Sequence, residues 1–194
     1  MARSKEFDPK EAVKTATLIF RRRGFLGTSI DDLVRETGVS RYGLYSTYTD
    51  KKGLFLAALD NFRDDYVTKL LANLENDSSS LKDVYAYFSV VVDSAGTPEG
   101  KLSCLMCSSI NELSGMDRDI DARLSTHFKR LRNAFHNALT NELKRGELKS
   151  SNPECLADYL LGIAHGSASL NRSGASKKVV KTFINTAMSA FNQK

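Results

Sequence analysis

The chain has 194 residues, 41% of them apolar and 26% charged, with a net charge of +5. That length suits one or two compact domains around a sizeable core, and these fractions are those of an ordinary soluble protein rather than a disordered or fibrous one. No apolar run approaches the ~20 residues a membrane helix needs, and three cysteines after a polar, mixed-charge N-terminus point to the cytoplasm rather than a disulfide framework.

In chain order the apolar residues recur with helical period, and the chain reads as all-α. A first helix is expected from Pro9 to Arg23, with Pro9 in the first turn, where its missing N–H costs nothing. Val13, Ala16, Thr17 and Phe20 form its inner stripe, Gly24 ends it and Phe25 anchors the chain after the stop.

The stretch Thr28–Tyr48 then reads as two short helices joined by a tight turn. Ile30, Leu33 and Val34 lie at i, i+3 and i+4. Gly38 falls where a left-handed residue closes the first helix, Val39 plugs the turn and Ser40 caps the second helix. Leu44 packs back on Leu33 and Val34, leaving Arg41, Tyr42, Ser46 and Thr47 facing outward. Such a helix-turn-helix offers its outward face to a DNA major groove.

A fourth helix is expected from Asp50, its N-cap, through Leu54, Ala58, Phe62 and Tyr66 to about Leu74. Residues 76–80 are a loop by composition. Helices follow over about 81–93 and 102–113, separated by a loop over 94–100. A long helix over 117–145 has Ile120, Leu124, Phe128, Leu131, Phe135 and Leu139 on its apolar side and stops at Gly146. The last two are expected over 153–170 and 177–191. This pattern divides into a DNA-binding domain over 1–50 and a helical effector and dimerisation domain over 51–194.

The basic excess lies around the helix-turn-helix. Residues 1–52 hold 11 Lys/Arg against 7 Asp/Glu, a net of +4, whereas the remainder nets +1. The excess, including Arg21, Arg22 and Arg23, suits phosphate binding, although cations also suit the C-terminus of any helix.

Residues 10–60, about a quarter of the chain, closely resemble the DNA-binding domain of the tetracycline-repressor (TetR) family of bacterial regulators. The resemblance rests on Phe20, Gly24-Phe25, Thr28-Ser29-Ile30, Leu33, Gly38-Val39-Ser40, Leu44-Tyr45, Tyr48, Asp50-Lys51 and Leu54-Phe55. Residues 40–45 with 50–59 look like a branch of that family with a cysteine opening its sixth helix, a place Cys104 fills, although Leu102-Ser103 departs from the usual glycine-rich lead-in. Tyr42 stands where the family usually has a small residue, and Thr47 where an aromatic or His is common. Operator preference therefore does not carry over from relatives.

The resemblance implies a homodimer on a near-palindromic double-stranded operator, released by a small-molecule or electrophilic effector. Arg41 and Tyr42 are the expected base readers, Arg for guanine and the Tyr ring for a thymine methyl. Thr28 and Ser29, at the N-terminus of the second helix, suit a phosphate; Ser29 with Asp32 also suits a capping box. Ser40 and Ser46 complete the DNA-facing set. Gly43 permits close approach to DNA, Tyr45 and Tyr48 donate to phosphates, Tyr48 alternatively being partly core, and Lys51 neutralises one.

Small residues on the penultimate helix, Gly162 and Gly166 with Leu170, suit a dimer seam with Val180, Phe183, Ile184 and Ala187 of the last helix, or else internal packing. Phe88, Cys104, Cys107, Phe128, His136 and Tyr159 are candidate effector contacts and serve a plain core equally well. Cys104 and Cys107 share one helix face, as a thiol sensor or as buried apolar residues.

The competing class is an enzyme, a thiol oxidoreductase using Cys104-x-x-Cys107. That chemistry is associated with a βαβ context, and no strand pattern is present. His127, His136 and His165 lack metal-ligand spacing with the cysteines, and no glycine-rich phosphate loop or Ser/His/Asp set occurs. Neither a cofactor, a metal nor enzymatic activity is expected. An architectural DNA binder would be far more basic than +5.

Overall fold

A computed structural model describes residues 7–148 and 152–191, and every regular element among them is helical. The chain forms two compact units. The first comprises residues up to 66 together with 104–124, and the second comprises 67–103 and 125–194.

In the first unit, α1 (Pro9–Arg23) starts on the Asp8 side chain, which accepts from the Lys10 N–H at 2.9 Å. It buries Val13, Ala16, Thr17 and Phe20, the stripe its sequence predicts, and Ala12 and Ile19 beside them. It packs along α4 (Lys51–Phe62), which buries Leu54, Phe55, Ala58, Leu59 and Phe62. The rings of Phe20, Phe25 and Phe55 meet with centroids 4.9 to 6.3 Å apart, and Phe20 and Phe55 are fully buried. Against this pair lie α2 (Ile30–Thr37) and α3 (Arg41–Tyr48), joined through Leu33, Val39 and Leu44, all buried. Helix α8 (Leu105–Leu113) packs on both α1 and α4. The packed unit is therefore larger than the 1–50 segment, because α1 closes its apolar stripe on α4 and α8.

The expected helix over 50–74 is interrupted. After α4 a π-helical turn, Arg63–Val67, precedes the short α5 (Thr68–Leu71). The wider turn advances the register, so Val67 is buried whereas Tyr66, expected on the inner face, is exposed and stacks on Phe62 at 5.2 Å. Periodicity alone carries no sign of such an inserted residue.

In the second unit, α6 (Leu81–Ser94) opens with a Ser80/Asp83 capping box. The expected loop over 94–100 contains a short helix, α7 (Pro98–Leu102), capped by Thr97 with Pro98 in its first turn. The expected helix over 102–113 is broken at Ser103, which has φ 56° and donates its hydroxyl to the Ala168 carbonyl at 2.7 Å. The 28-residue α9 (Arg118–Arg145) gives its start to the first unit and the rest to the second. There it holds the 76–80 loop: Asn137 donates to the Asn76 carbonyl, Asn141 to those of Asp77 and Ser79, and Arg145 to that of Ser78. Helices α10 (Pro153–Arg172) and α11 (Lys177–Met188) complete this unit, packing on each other and on α6. The end of the expected last helix is a 3-10 turn over Ser189–Phe191.

Candidate nucleic-acid interface

The site starts from the loop that follows α1. Gly24 has φ 74° and ψ 177°, an extended conformation of positive φ that glycine adopts without strain. A Cβ there would lie 2.6 Å from the Glu112 carboxylate. That carboxylate, from α8, accepts the N–H groups of Phe25 at 3.0 Å and Leu26 at 2.6 Å. From α4 the Lys51 ammonium donates to the carbonyls of Phe25 and Thr28, both at 3.0 Å, and lies 4.2 Å from the centre of the Phe25 ring. One acid and one base thus clasp the same short loop, the acid through its N–H groups and the base through its carbonyls.

The loop delivers Ser29, the N-cap of α2. Its hydroxyl accepts from the Asp32 N–H at 3.1 Å while Asp32 accepts from the Ser29 N–H, closing the capping box. Bonds from the Ser29 hydroxyl, then from Arg35 and Arg23, hold the Asp32 carboxyl far below the usual carboxylate range. Gly38, at φ 69°, ends α2. Ser40 caps α3 by accepting the Gly43 N–H at 3.1 Å, and Asp50 caps α4.

On α3 the exposed side chains are Arg41, Tyr42, Tyr45 and Ser46. Tyr42 stands out, with 84% of its surface accessible. Arg41 is ion-paired to Asp31 of α2 at 2.5 Å.

Several expected DNA contacts are turned inward instead. Thr28 is buried and donates its hydroxyl to the Gly24 carbonyl at 2.6 Å, closing the loop rather than offering a hydroxyl outward. Tyr48 donates to the Pro9 carbonyl at 2.8 Å, tying α3 to the start of α1; burial pushes its phenol pKa up. Thr47 has a buried hydroxyl oxygen, so it does not lie on the outer face. A Cβ on Gly43 would meet Val39 at 3.0 Å and the Phe7 ring at 3.2 Å, so its smallness serves internal packing. The Lys51 ammonium is spent on the loop carbonyls. Of the basic triplet, Arg23 pairs with Asp32 at 2.6 Å and Arg21 lies over the Phe62 ring at 5.1 Å.

The candidate effector residues fall into different units. Cys104 is the N-cap of α8 and Cys107 lies within its first turn. A bond to Cys104, reinforced by burial, pushes the Cys107 thiol well above its ordinary pKa, leaving the half-exposed Cys104 as the more accessible sulfur. In the other unit, Phe88 is core, stacked on Phe135 at 5.9 Å. Phe128 stacks on His165 at 5.7 Å, His136 is half-buried, and the exposed Tyr159 donates to the Ala187 carbonyl at 3.3 Å. Among the described residues, no group of three or more His, Cys, Asp or Glu side chains is placed to hold a metal ion. No helix there is long and apolar enough to cross a membrane.

The expected seam is corrected in part. Val180, Ile184 and Ala187 are buried within the chain's own core, because α11 turns its apolar stripe toward α6 and α10. Gly162 remains open, with nothing within 4 Å of where a Cβ would stand, and Gly166 touches the half-buried Phe183.

Residues 12–58 match the family described as bacterial regulatory proteins of the tetR family. An uncharacterised helix-turn-helix-type regulator of Bacillus subtilis, YezE, is 30% identical over 82% of this chain and 84% of its own length. The chain belongs to the TetR family of transcriptional regulators. A helix-turn-helix-type transcriptional repressor of Escherichia coli, ComR, is 29% identical over 96% of this chain and 90% of its own length. The TetR-family regulator CifR, as a cysteine mutant complexed with a 26 bp double-strand operator, shares the fold at a TM-score of 0.85 with 21% identity, covering 97% of this chain and all of that one.

Glu112, Asp31 and Phe7 carry structural roles in this TetR-family site that local patterns do not reveal. Glu112 acts 86 and 87 residues away along the chain. Its removal leaves two loop N–H groups without their partner, so Glu112→Ala should lower the unfolding free energy by about 1.5 to 3 kcal/mol. Urea denaturation reads this, and an unchanged midpoint would show that the clasp is incidental.

Proposed function

We propose that this TetR-family regulator is a homodimeric repressor that reads a near-palindromic operator through α3 and leaves it when an effector acts on the helices beyond residue 51. The observation that carries the reading is the exposed Tyr42 beside Arg41 at the start of α3, an aromatic ring held out from a well-capped helix. Arg41 takes guanine and Tyr42 a thymine methyl. Ser29, Ser40, Tyr45 and Ser46 contribute phosphate contacts around them. The repressor named ComR and the operator complex of CifR support the reading.

One such module buries too little surface for tight binding, which favours two copies on one site. The seam consists of Gly162, Gly166 and Leu170 of α10 with Val179 and Phe183 of α11, residues left exposed or half-buried. For the effector, the accessible Cys104 sits at a helix N-terminus, where an anionic sulfur is favoured. A thiol-reactive small molecule is the effector class this arrangement fits, with modification shifting the population away from the DNA-competent state.

A duplex selected from a random pool by the purified protein serves as operator. On it Tyr42→Ala should cost about 1 to 3 kcal/mol and relax preference at one base pair; equal losses on matched and mismatched duplexes would remove Tyr42 from base reading. Gly162→Arg, placed where a side chain has open space, should keep the helical content and give a monomer in sedimentation. A wild-type chain that is monomeric at micromolar concentration overturns the dimer. Cys104→Ser should abolish operator release by an alkylating electrophile such as N-ethylmaleimide, and release at the wild-type rate would end the thiol reading.

A further inference from the structure

We propose that Asp31 is a specificity determinant: by pairing with Arg41 it stops that arginine from rewarding contact with DNA of the wrong sequence. This rests on the base-reading role given to Arg41 above. The pair joins two helices of the DNA-binding unit, from the first turn of α2 to the first residue of α3, with Nη2 of Arg41 on Oδ1 of Asp31 at 2.5 Å. Both side chains are largely exposed, 54% and 77% accessible. Asp31 has no part in the capping box, which Ser29 and Asp32 complete without it.

The consequence follows from what each DNA group offers the guanidinium. Arginine has five N–H donors in a planar fork, and Asp31 takes one of them, on Nη2. A phosphate oxygen competing with that carboxylate exchanges one anion for another, with little net gain and one fewer counterion released than a free arginine would give. A guanine O6/N7 edge instead takes the remaining donors, adding bonds while the carboxylate stays. An exposed ion pair is weak enough to be shared or displaced without a large penalty on the correct site. Arg41 is thereby changed from a general cation into a conditional one.

The test uses the full-length protein, the pool-selected duplex and a scrambled duplex of equal length, titrated over a range of salt. Asp31→Ala and Asp31→Asn are compared with Arg41→Ala and with the Arg41→Ala/Asp31→Ala double variant; the Asn form guards against fraying of α2. In both Asp31 variants, scrambled-duplex binding should strengthen by about threefold to fivefold, the range an exposed pair can carry, with operator binding changed less. Its salt dependence should steepen by about 0.9 in the log–log slope, one further phosphate contact. In the Arg41→Ala background the Asp31 substitution should no longer alter the ratio between the two duplexes.

Equal gains on both duplexes, or the same change in ratio without Arg41, would show plain charge repulsion and overturn the proposal. If Arg41→Ala discriminates like the wild type, Arg41 is no reader and the proposal falls with that assignment. If no duplex is enriched by the wild-type protein, the operator reading itself fails, an outcome distinct from the others.

Discussion

Helices α2 and α3 depend on a five-residue loop held from two sides. Residues 24–28 carry the chain from α1 to the cap of α2, and each of their contacts constrains where α2 begins. Glu112 takes two N–H groups, Lys51 takes two carbonyls, and Thr28 folds back on Gly24. The bonds from Glu112 and Lys51 are charge-assisted bonds to backbone, stronger than neutral ones and directional. A shift of the loop would move Ser29 and, through Leu33 and Leu44, α3 with it. The aromatic trio of Phe20, Phe25 and Phe55 supplies the apolar floor on which that loop is pinned.

Helices as short as α2 and α3, eight residues each, are marginal in water by themselves. Their persistence comes from ends and from packing. Ser29 with Asp32, Gly38, Ser40 and Asp50 terminate or start helices at four successive places. Three buried residues, Leu33, Val39 and Leu44, then join the pair. On α3 this leaves Tyr42 and Tyr45 turned outward, Tyr42 with most of its surface accessible.

The parts legible in the sequence are those governed by local rules. The extent of α1, the capping box at Ser29, the glycine stop at 38 and the inner stripe of α1 are all readable from neighbours within a few residues. Sequence patterns mislead where distant partners decide. Lys51 and Thr28 look like phosphate ligands by position, yet the loop carbonyls claim them. Tyr48 follows the pattern of an outward tyrosine, yet Pro9 supplies its acceptor. Val180, Ile184 and Ala187 show an apolar stripe, but a stripe does not say whether its cover is the same chain or another copy. The π-turn after α4 and the break at Ser103 leave no periodic trace at all.

The attachment of residues 7–9 beneath α3 has a practical corollary. Phe7 lies against Gly43, and the Pro9 carbonyl receives the Tyr48 hydroxyl, so the underside of α3 is built partly from the residues that open α1. A substitution at Phe7 would therefore disturb α3 without touching that helix's own sequence.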